Sequence, residues 1–250
     1  MDRLAAEGAS FSLAYANCPI CTPSRGTIFS GRHAHAGPEK WERFDPDNLE
    51  VRANFHDSPE MRKNLATYYA MIENLDWNTG RLNECLQNQQ GFENTLQVYF
   101  SDHGDYMGSH GVFNMGEHPH EESVRIPAIF HWPDKLPAQG PVDGLFSLVD
   151  LMATTLGLAG CEVPVWSQGR DFSPHLRGET FTPPEDVLLE MCGSPRWNLG
   201  MPDWRGLVNE RWKYAFIENR IELLYDLAND PFEQHNLAPP GLSGRIKELP

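Results

Sequence analysis

The sequence predicts an α/β domain with a mostly parallel sheet flanked by helices, followed by a small C-terminal antiparallel α+β subdomain. Two patterns carry this prediction. Helical segments alternate with apolar strand-like segments through residues 1–185, which is typical of a parallel sheet covered on both faces. Residues 186–250 instead hold closely spaced strand-like segments with no long helix between them. We therefore expect a core at 1–185 and a subdomain at 186–250.

The strongest predicted element is a helix that begins at Ser58-Pro59 and stops at Gly91. Serine is a favourable N-cap, proline suits the first helical position, and glycine often follows a helix end. Apolar residues recur between them at near-helical spacing. An earlier helix is predicted from Thr22-Pro23 to Gly31, and residues 37–57, rich in Pro, Asp and Asn, are predicted to form a loop.

The remaining predicted elements are short. Ser147 is expected to cap a helix that runs to Ala159, with Gly160 behind it. Runs of β-branched and aromatic residues predict strands. The predicted strands are 95–101, 126–132, 187–191, 212–217 and 222–225.

The chain is acidic: 20 Lys and Arg against 35 Asp and Glu give a net charge of −15 over 250 residues. This balance argues against nucleic acid or an anionic membrane surface as the main partner, because both need a basic surface. It does not exclude a small anionic substrate in a locally positive pocket. We expect no membrane span, since no run of about 18 apolar residues occurs. We also expect no disulfide framework from five scattered cysteines.

Cys21-Thr22-Pro23-Ser24-Arg25 is the first segment that carries chemistry. A cysteine at a helix N-terminus faces unpaired N–H groups and the positive end of the helix dipole, which favours a thiolate, an oxyanion or a bound anion. Arg25, one turn further, adds a planar fork suited to sulfate or phosphate oxygens. The alternative is a buried cysteine beside an ordinary helix start.

Asp102-His103-Gly104 follows the predicted strand at 95–101. Ligand sites in α/β sheets lie beyond the carboxyl ends of strands, and a carboxylate beside an imidazole is a reasonable half of a divalent metal site. The alternative is a plain turn. The next segment, 108–127, is dense in His and Glu, and we expect most of it to be a solvated loop. Arg125 is expected to hold that loop as an ion-pair partner.

These segments together resemble the type I, formylglycine-dependent sulfatases of the alkaline phosphatase superfamily. The family signature is C-x-P-S-R followed by a short helix that ends in Ser/Thr-Gly-Arg, and residues 21–32 fit it throughout. The resemblance continues in the family's order over nearly the whole chain. Further matching segments are 2–8, 68–70, 80–82, 101–104, 110–111, 121–127, 148–151, 224–227, 230–231, Glu233 and 236–237.

The resemblance implies a sulfuric ester hydrolase with an alkaline-phosphatase-like sheet. Cys21 would be oxidised by a formylglycine-generating enzyme, and the hydrated aldehyde would attack sulfur in a covalent two-stage reaction. Asp102, His103 and the formylglycine oxygen from Cys21 would hold a calcium ion, and Arg25 would stabilise the formylglycine. The implied substrate is a sulfate-ester small molecule or sulfated carbohydrate. Family members are often exported, whereas residues 1–7 show no signal-peptide pattern, so the compartment stays open.

The sequence departs from the family pattern at three places. It begins after the family's strand with paired aspartates, a block with a lysine and a histidine is missing near residue 36, and Met115 stands where the family has a sulfate-contacting lysine. A thioether cannot donate a hydrogen bond to sulfate, and a divalent cation relies on ligand charge and number. We therefore expect weakened calcium binding and impaired catalysis. His118 or His120 is the hypothetical replacement for the lysine.

Three other interpretations remain open from the sequence. A phosphodiester or phosphonate hydrolase of the same superfamily would use similar tetrahedral anionic chemistry. A non-catalytic sulfatase-fold remnant would explain the three departures. A redox protein would use Cys18-Pro19-Ile20-Cys21 as a C-x-x-C motif at a helix start, although the following Pro-Ser-Arg would then have no role.

Overall fold

The computed structural model describes residues 44–89, 91–113, 118–138, 140–191, 203–217 and 221–239. Several sequence features therefore lie outside the described residues: the predicted helix that starts at Thr22, Cys21, Arg25, the segment near residue 36, and Met115.

The predicted long helix is confirmed as α1, Pro59–Asn88. The Ser58 side chain caps it by accepting a first-turn amide hydrogen at 3.2 Å, and proline occupies the first turn as expected. Leu65, Ala66 and Ala70 are buried, whereas Leu75, Trp77 and Leu82 in the C-terminal half are 42–58% exposed. Neither α1 nor any other helix in the described ranges is long and apolar enough to cross a membrane.

The first two strands of the described residues are β1, Gln97–Phe100, and β2, Ala128–His131, each within its predicted range. They pair antiparallel, with Val98 opposite Phe130. We expected these strands in a mostly parallel sheet, but every strand pair in the described ranges is antiparallel. In the described residues between β1 and β2, 101–113 and 118–127, the chain forms loops and one four-residue helix rather than the long crossover helix that usually joins parallel neighbours.

The predicted helix after Ser147 begins later than expected. The buried Asp150 carboxylate accepts the Ser147 amide hydrogen at 2.9 Å and the Arg170 amide hydrogen at 2.8 Å. Ser147 is therefore held by the helix's first carboxylate and does not cap the helix with its own side chain. The shorter α-helices in the described ranges are α2, Glu121–Val124, α3, Asp150–Leu158, and α4, Ser173–Leu176. A 3-10 helix at Pro46–Asn48 lies within the loop predicted at 37–57.

A four-stranded antiparallel sheet lies within 186–250, and its strands neighbour one another in chain order. The predictions at 187–191 and 212–217 are confirmed, the one at 222–225 is one residue short at each end, and the strand Trp204–Val208 was not predicted. The domain boundary at 185/186 stays a prediction. The strands are β3, Val187–Met191, β4, Trp204–Val208, β5, Trp212–Ile217, and β6, Ile221–Asp226.

One face of this sheet forms a hydrophobic cluster that reaches back to the loop after β1. The buried members are Trp204, Ala215, Ile217, Leu223 and Tyr225. Val124, the last residue of α2, packs against this cluster. The short helix α2 therefore lies at the junction between the sheet and the Asp102-His103-Gly104 turn.

Candidate metal-binding site

Asp102 and His103 lie just beyond the carboxyl end of β1, as predicted. Asp102 Oδ2 is 3.8 Å from His103 Nε2, and both side chains are about two-fifths exposed. His103 Nδ1 lies 2.8 Å from the carbonyl oxygen of Gly104. Because a carbonyl can only accept, Nδ1 carries the proton, and Nε2 faces the carboxylate with its lone pair when the ring is neutral. Histidine metal ligands are commonly oriented in this way.

The backbone of this turn is held from both sides. The Ser101 hydroxyl donates to the carbonyl of His103 at 2.7 Å. The Gly104 amide donates to the carbonyl of Ser123 in α2 at 2.8 Å. Asp102 and His103 therefore offer one oxygen and one nitrogen from a fixed backbone. This donor set fits half of a divalent cation site, since carboxylate and imidazole are both metal ligands.

Behind the turn lies a buried network of charged side chains that crosses from α2 to the C-terminal sheet. Lys213 Nζ, on β5, is 2.5 Å from Glu121 Oε1 and 2.9 Å from Glu233 Oε1. The Lys213 and Glu233 side chains are almost fully buried. Glu233 Oε2 also accepts the Glu121 backbone amide hydrogen at 2.6 Å. Burial raises the pKa of Glu233, and the positive charge of Lys213 opposes that rise.

The neighbouring Glu122 carboxylate is 4% exposed and is held by different partners. The Asn54 amide donates to Glu122 Oε1 at 2.7 Å, Arg52 lies 3.4 Å from the same oxygen, and His110 Nε2 is 3.6 Å from Oε2. Burial alone would raise the pKa of Glu122, but the neighbouring His110 ring and the hydrogen bond from Asn54 outweigh it and lower the pKa to about 2. Glu122 is therefore ionised at neutral pH.

His120 is buried between two tyrosines. The Tyr106 hydroxyl donates to the His118 carbonyl at 2.7 Å, so it can only accept from His120 Nδ1, 3.0 Å away. His120 Nε2 then accepts from the Tyr225 hydroxyl at 3.3 Å. Burial, with His110 and His118 nearby, lowers the pKa of His120 to about 3. Burial also raises the pKa of Tyr225 to about 12.

His110, Glu122 and Glu233 bring one potential metal-ligand atom each within 4.8 Å of one another. Arg52 and Lys213 already contact the two carboxylates, which provides the counter-charge without an ion. His110 and Glu233 both adopt positive φ, 54° and 52°, a conformation that costs non-glycine residues roughly 1–2 kcal/mol. Their side chains reach buried partners from these positions. We therefore interpret this group as a structural network.

Comparison with known proteins identifies the lineage. The Sulfatase family profile matches residues 35–161, half of the chain. The chain belongs to the sulfatase family. The profile of the N-sulphoglucosamine sulphohydrolase C-terminal region also matches, at residues 108–244.

Curated relatives of this sulfatase-family chain include two sulfatases of Bacteroides thetaiotaomicron. The endo-4-O-sulfatase is 29% identical over 208 residues, covering 76% of this chain and 41% of the relative. The N-acetylglucosamine-6-O-sulfatase is 37% identical over 182 residues, covering 71% of this chain and 32% of the relative. The chain thus spans about a third to two fifths of the length of these relatives.

Solved structures confirm the alkaline-phosphatase-like fold class of this sulfatase-family chain. The putative sulfatase YidJ of Bacteroides fragilis gives a TM-score of 0.70 at 28% identity, covering 85% of this chain and 48% of that one. A structure in complex with its substrate D-glucosamine-2-N,6-O-disulfate gives 0.65 at 28% identity, with coverages of 76% and 39%. The phosphonate monoester hydrolase of Agrobacterium radiobacter gives 0.71 at 22% identity, with coverages of 84% and 51%, and supports the fold alone.

The expectation of a solvated loop at 108–127 is wrong for the residues that form the buried network. His120 and Ser123 are buried, and the Glu122 side chain is 4% exposed, because α2 packs under the C-terminal sheet. Arg125 pairs with Glu121 at 3.5 Å but is 80% exposed, so it contributes little to holding the loop. Both ring nitrogens of His120 are engaged by tyrosines, which argues against its replacing the missing lysine.

Sequence reasoning missed the residues that anchor this sulfatase-family network. From the sequence, Lys213 is predicted only to lie in a strand, and Glu233 stands out only through the family resemblance. Asn54 lies in a segment predicted to be a loop, and no local pattern distinguishes it from other asparagines. Their roles depend on partners that are distant along the chain.

We expect Lys213→Met to lower the free energy of unfolding by about 3–5 kcal/mol, because it leaves Glu233 buried without its cation. Adding Glu233→Gln should recover part of the loss by removing the unpaired charge. Urea unfolding at pH 7 measures both. Lys135→Met is the control at an exposed site and should stay within about 0.5 kcal/mol of the unaltered chain. A Lys213→Met variant as stable as this control would contradict the ion network.

We expect stability to fall as the pH drops below 6.5, because unfolded His120 takes up a proton there while the folded ring resists until about pH 3. The stabilisation that comes from the neutral His120 ring is complete above pH 6.5. Below that pH, the loss of unfolding free energy approaches about 1.4 kcal/mol per pH unit. Unfolding free energies at pH 7.0, 6.0 and 5.0 should therefore decline less steeply in His120→Gln than in the unaltered chain.

The exposed His56→Gln variant is the control for this pH series and should keep the original decline. Equal declines in all three proteins would show that His120 is not held neutral by burial.

Proposed function

We propose that this chain carries the sulfate-ester hydrolysis site of a formylglycine-dependent sulfatase. The proposal rests on the 3.8 Å separation between Asp102 Oδ2 and His103 Nε2 beyond β1, with Nδ1 of the same ring bound to the Gly104 carbonyl. In a chain of the sulfatase family, this arrangement supports a calcium site partly formed by these two residues. Calcium, when bound, would stabilise negative charge on sulfate oxygens.

The roles of this chain's residues follow from their chemistry. Asp102 and His103 would hold the cation, and the Nδ1–Gly104 contact leaves Nε2 of His103 as the ligand nitrogen. Cys21 would be the formylglycine precursor, which requires a formylglycine-generating enzyme as a partner, and the formylglycine would supply a further oxygen ligand to calcium. Arg25 holds the formylglycine oxygens through charge-assisted hydrogen bonds. The last two assignments rest on the family signature at residues 21–32.

We further propose a sulfated carbohydrate as the substrate. Relatives are named for 4-O-sulfate and N-acetylglucosamine-6-O-sulfate cleavage, and one structural neighbour holds a glucosamine disulfate. These names describe those proteins and support only the substrate class for this chain. The chain spans less than half of each of these relatives, so its sulfatase activity is itself part of the proposal.

The proposal predicts that the chain, coexpressed with a formylglycine-generating enzyme, hydrolyses nitrophenyl sulfate faster than its Cys21→Ala variant. Mass spectrometry of the Cys21 peptide should show conversion of the thiol to an aldehyde. Asp102→Asn should reduce the rate by about tenfold or more, because a charged ligand is lost. N-acetylglucosamine-6-sulfate tests the proposed substrate class.

A rate equal to that of Cys21→Ala on every sulfate ester, despite aldehyde formation, would overturn the proposal for this chain. Turnover of a nitrophenyl phosphonate ester without sulfatase activity would instead support the phosphonate hydrolase alternative.

A further inference from the structure

The back of the Asp102-His103-Gly104 turn is in direct contact with α2. The Gly104 amide donates to the Ser123 carbonyl at 2.8 Å. A Cβ atom on Gly104 would lie 2.0 Å from the Glu122 carbonyl oxygen, so only glycine permits this approach. The position of α2 therefore sets the position of the turn on this side.

Helix α2 is a single turn of four residues, and an isolated turn of this length does not hold its own conformation in water. Its position comes from side chains that bind other segments. Glu121 binds Lys213 on β5, and the buried Glu122 binds Asn54 and Arg52 from the segment before α1. Displacing these anchors would move the surface against which Gly104 rests.

Asn54 joins three parts of the chain. Its side-chain amide donates to Glu122 Oε1 at 2.7 Å and to the Phe232 carbonyl at 3.0 Å. Its backbone carbonyl accepts the His110 amide hydrogen at 2.8 Å. One neutral side chain therefore connects α2 with the segment that follows β6.

We propose that Asn54 is a positioning residue for the calcium site. Through Glu122 and α2, it holds the backbone of Asp102 and His103 at the spacing that the cation requires. This inference rests on the proposed function, because it takes Asp102 and His103 as ligands. Asn54 acts through Glu122 and Gly104 without touching the metal, and loss of such supporting contacts typically weakens metal binding by about 10–100-fold.

The test compares calcium binding by the full chain and its Asn54→Ala variant. This change removes the amide without altering any charge, so a loss of affinity reports geometry rather than electrostatic attraction. Calcium chloride is titrated into the millimolar range, where weak protein calcium sites bind, and NMR signals of Gly104 and His103 report binding. We expect the Asn54→Ala variant to bind calcium about tenfold more weakly.

Two controls separate positioning from loss of stability. Asn48→Ala makes the same substitution at an exposed site and should keep the original affinity. Leu158→Ala removes a buried side chain from α3 and should lower the melting temperature without changing calcium affinity. If Asn54→Ala does not fold, Gly104→Ala disturbs the same contact from the side of the turn and should also weaken calcium binding.

A folded Asn54→Ala variant that melts earlier but binds calcium as tightly as the unaltered chain would overturn the inference. Asp102→Asn, titrated in parallel, separates failure of the positioning role of Asn54 from failure of the ligand assignment. If Asp102→Asn weakens binding and Asn54→Ala does not, only the positioning role fails. If Asp102→Asn binds normally, or the unaltered chain binds no calcium, the ligand assignment in the proposed function fails and the positioning role fails with it.

Discussion

The junction between α2 and the C-terminal sheet depends on a lysine ammonium that has almost no exposure to water. Lys213 projects from β5 into the junction with α2, where removal from water would be costly without compensating charges. Its two carboxylate partners, Glu121 and Glu233, come from segments separated by more than a hundred residues. Folding the C-terminal sheet therefore requires α2 to be docked, and docking α2 places it directly behind the Asp102-His103-Gly104 turn.

The docking of α2 explains why several charged side chains after β1 lie in a buried network. Glu122 is kept ionised by Asn54 and His110, while His120 is kept neutral by burial between tyrosines. The left-handed backbone of His110 and Glu233 is compatible with a stable fold because each side chain reaches partners inside the network. The turn proposed to bind calcium, whose Asp102 and His103 side chains are partly exposed, thereby gains a supported backbone, which precise ligand geometry requires.

The sequence predicted elements whose signals are local. Ser58 and Pro59 mark the start of α1, and β5 follows its aromatic and β-branched run residue for residue. It could not predict which face of β5 is buried, because both faces carry apolar residues. The face with Lys213, Ala215 and Ile217 is buried, whereas Trp212 and Phe216 on the other face are more than a third exposed.

The proposed half-site at Asp102 and His103 is predicted by the adjacency of the two residues beyond a strand and by the family resemblance. Its support by Asn54 depends on a contact across 68 residues of chain, which no local pattern predicts.

Native-state hydrogen exchange tests whether the Asp102-His103-Gly104 turn and the C-terminal sheet form one cooperative unit. The informative probes are the Gly104 amide, bound to Ser123, and the backbone amides of β5, compared at increasing urea below the unfolding transition. If they form one unit, these amides exchange through the same opening, with equal free energies of opening and equal dependence on urea. Exchange of Gly104 through a separate opening of much lower free energy, while β5 stays protected, would contradict it.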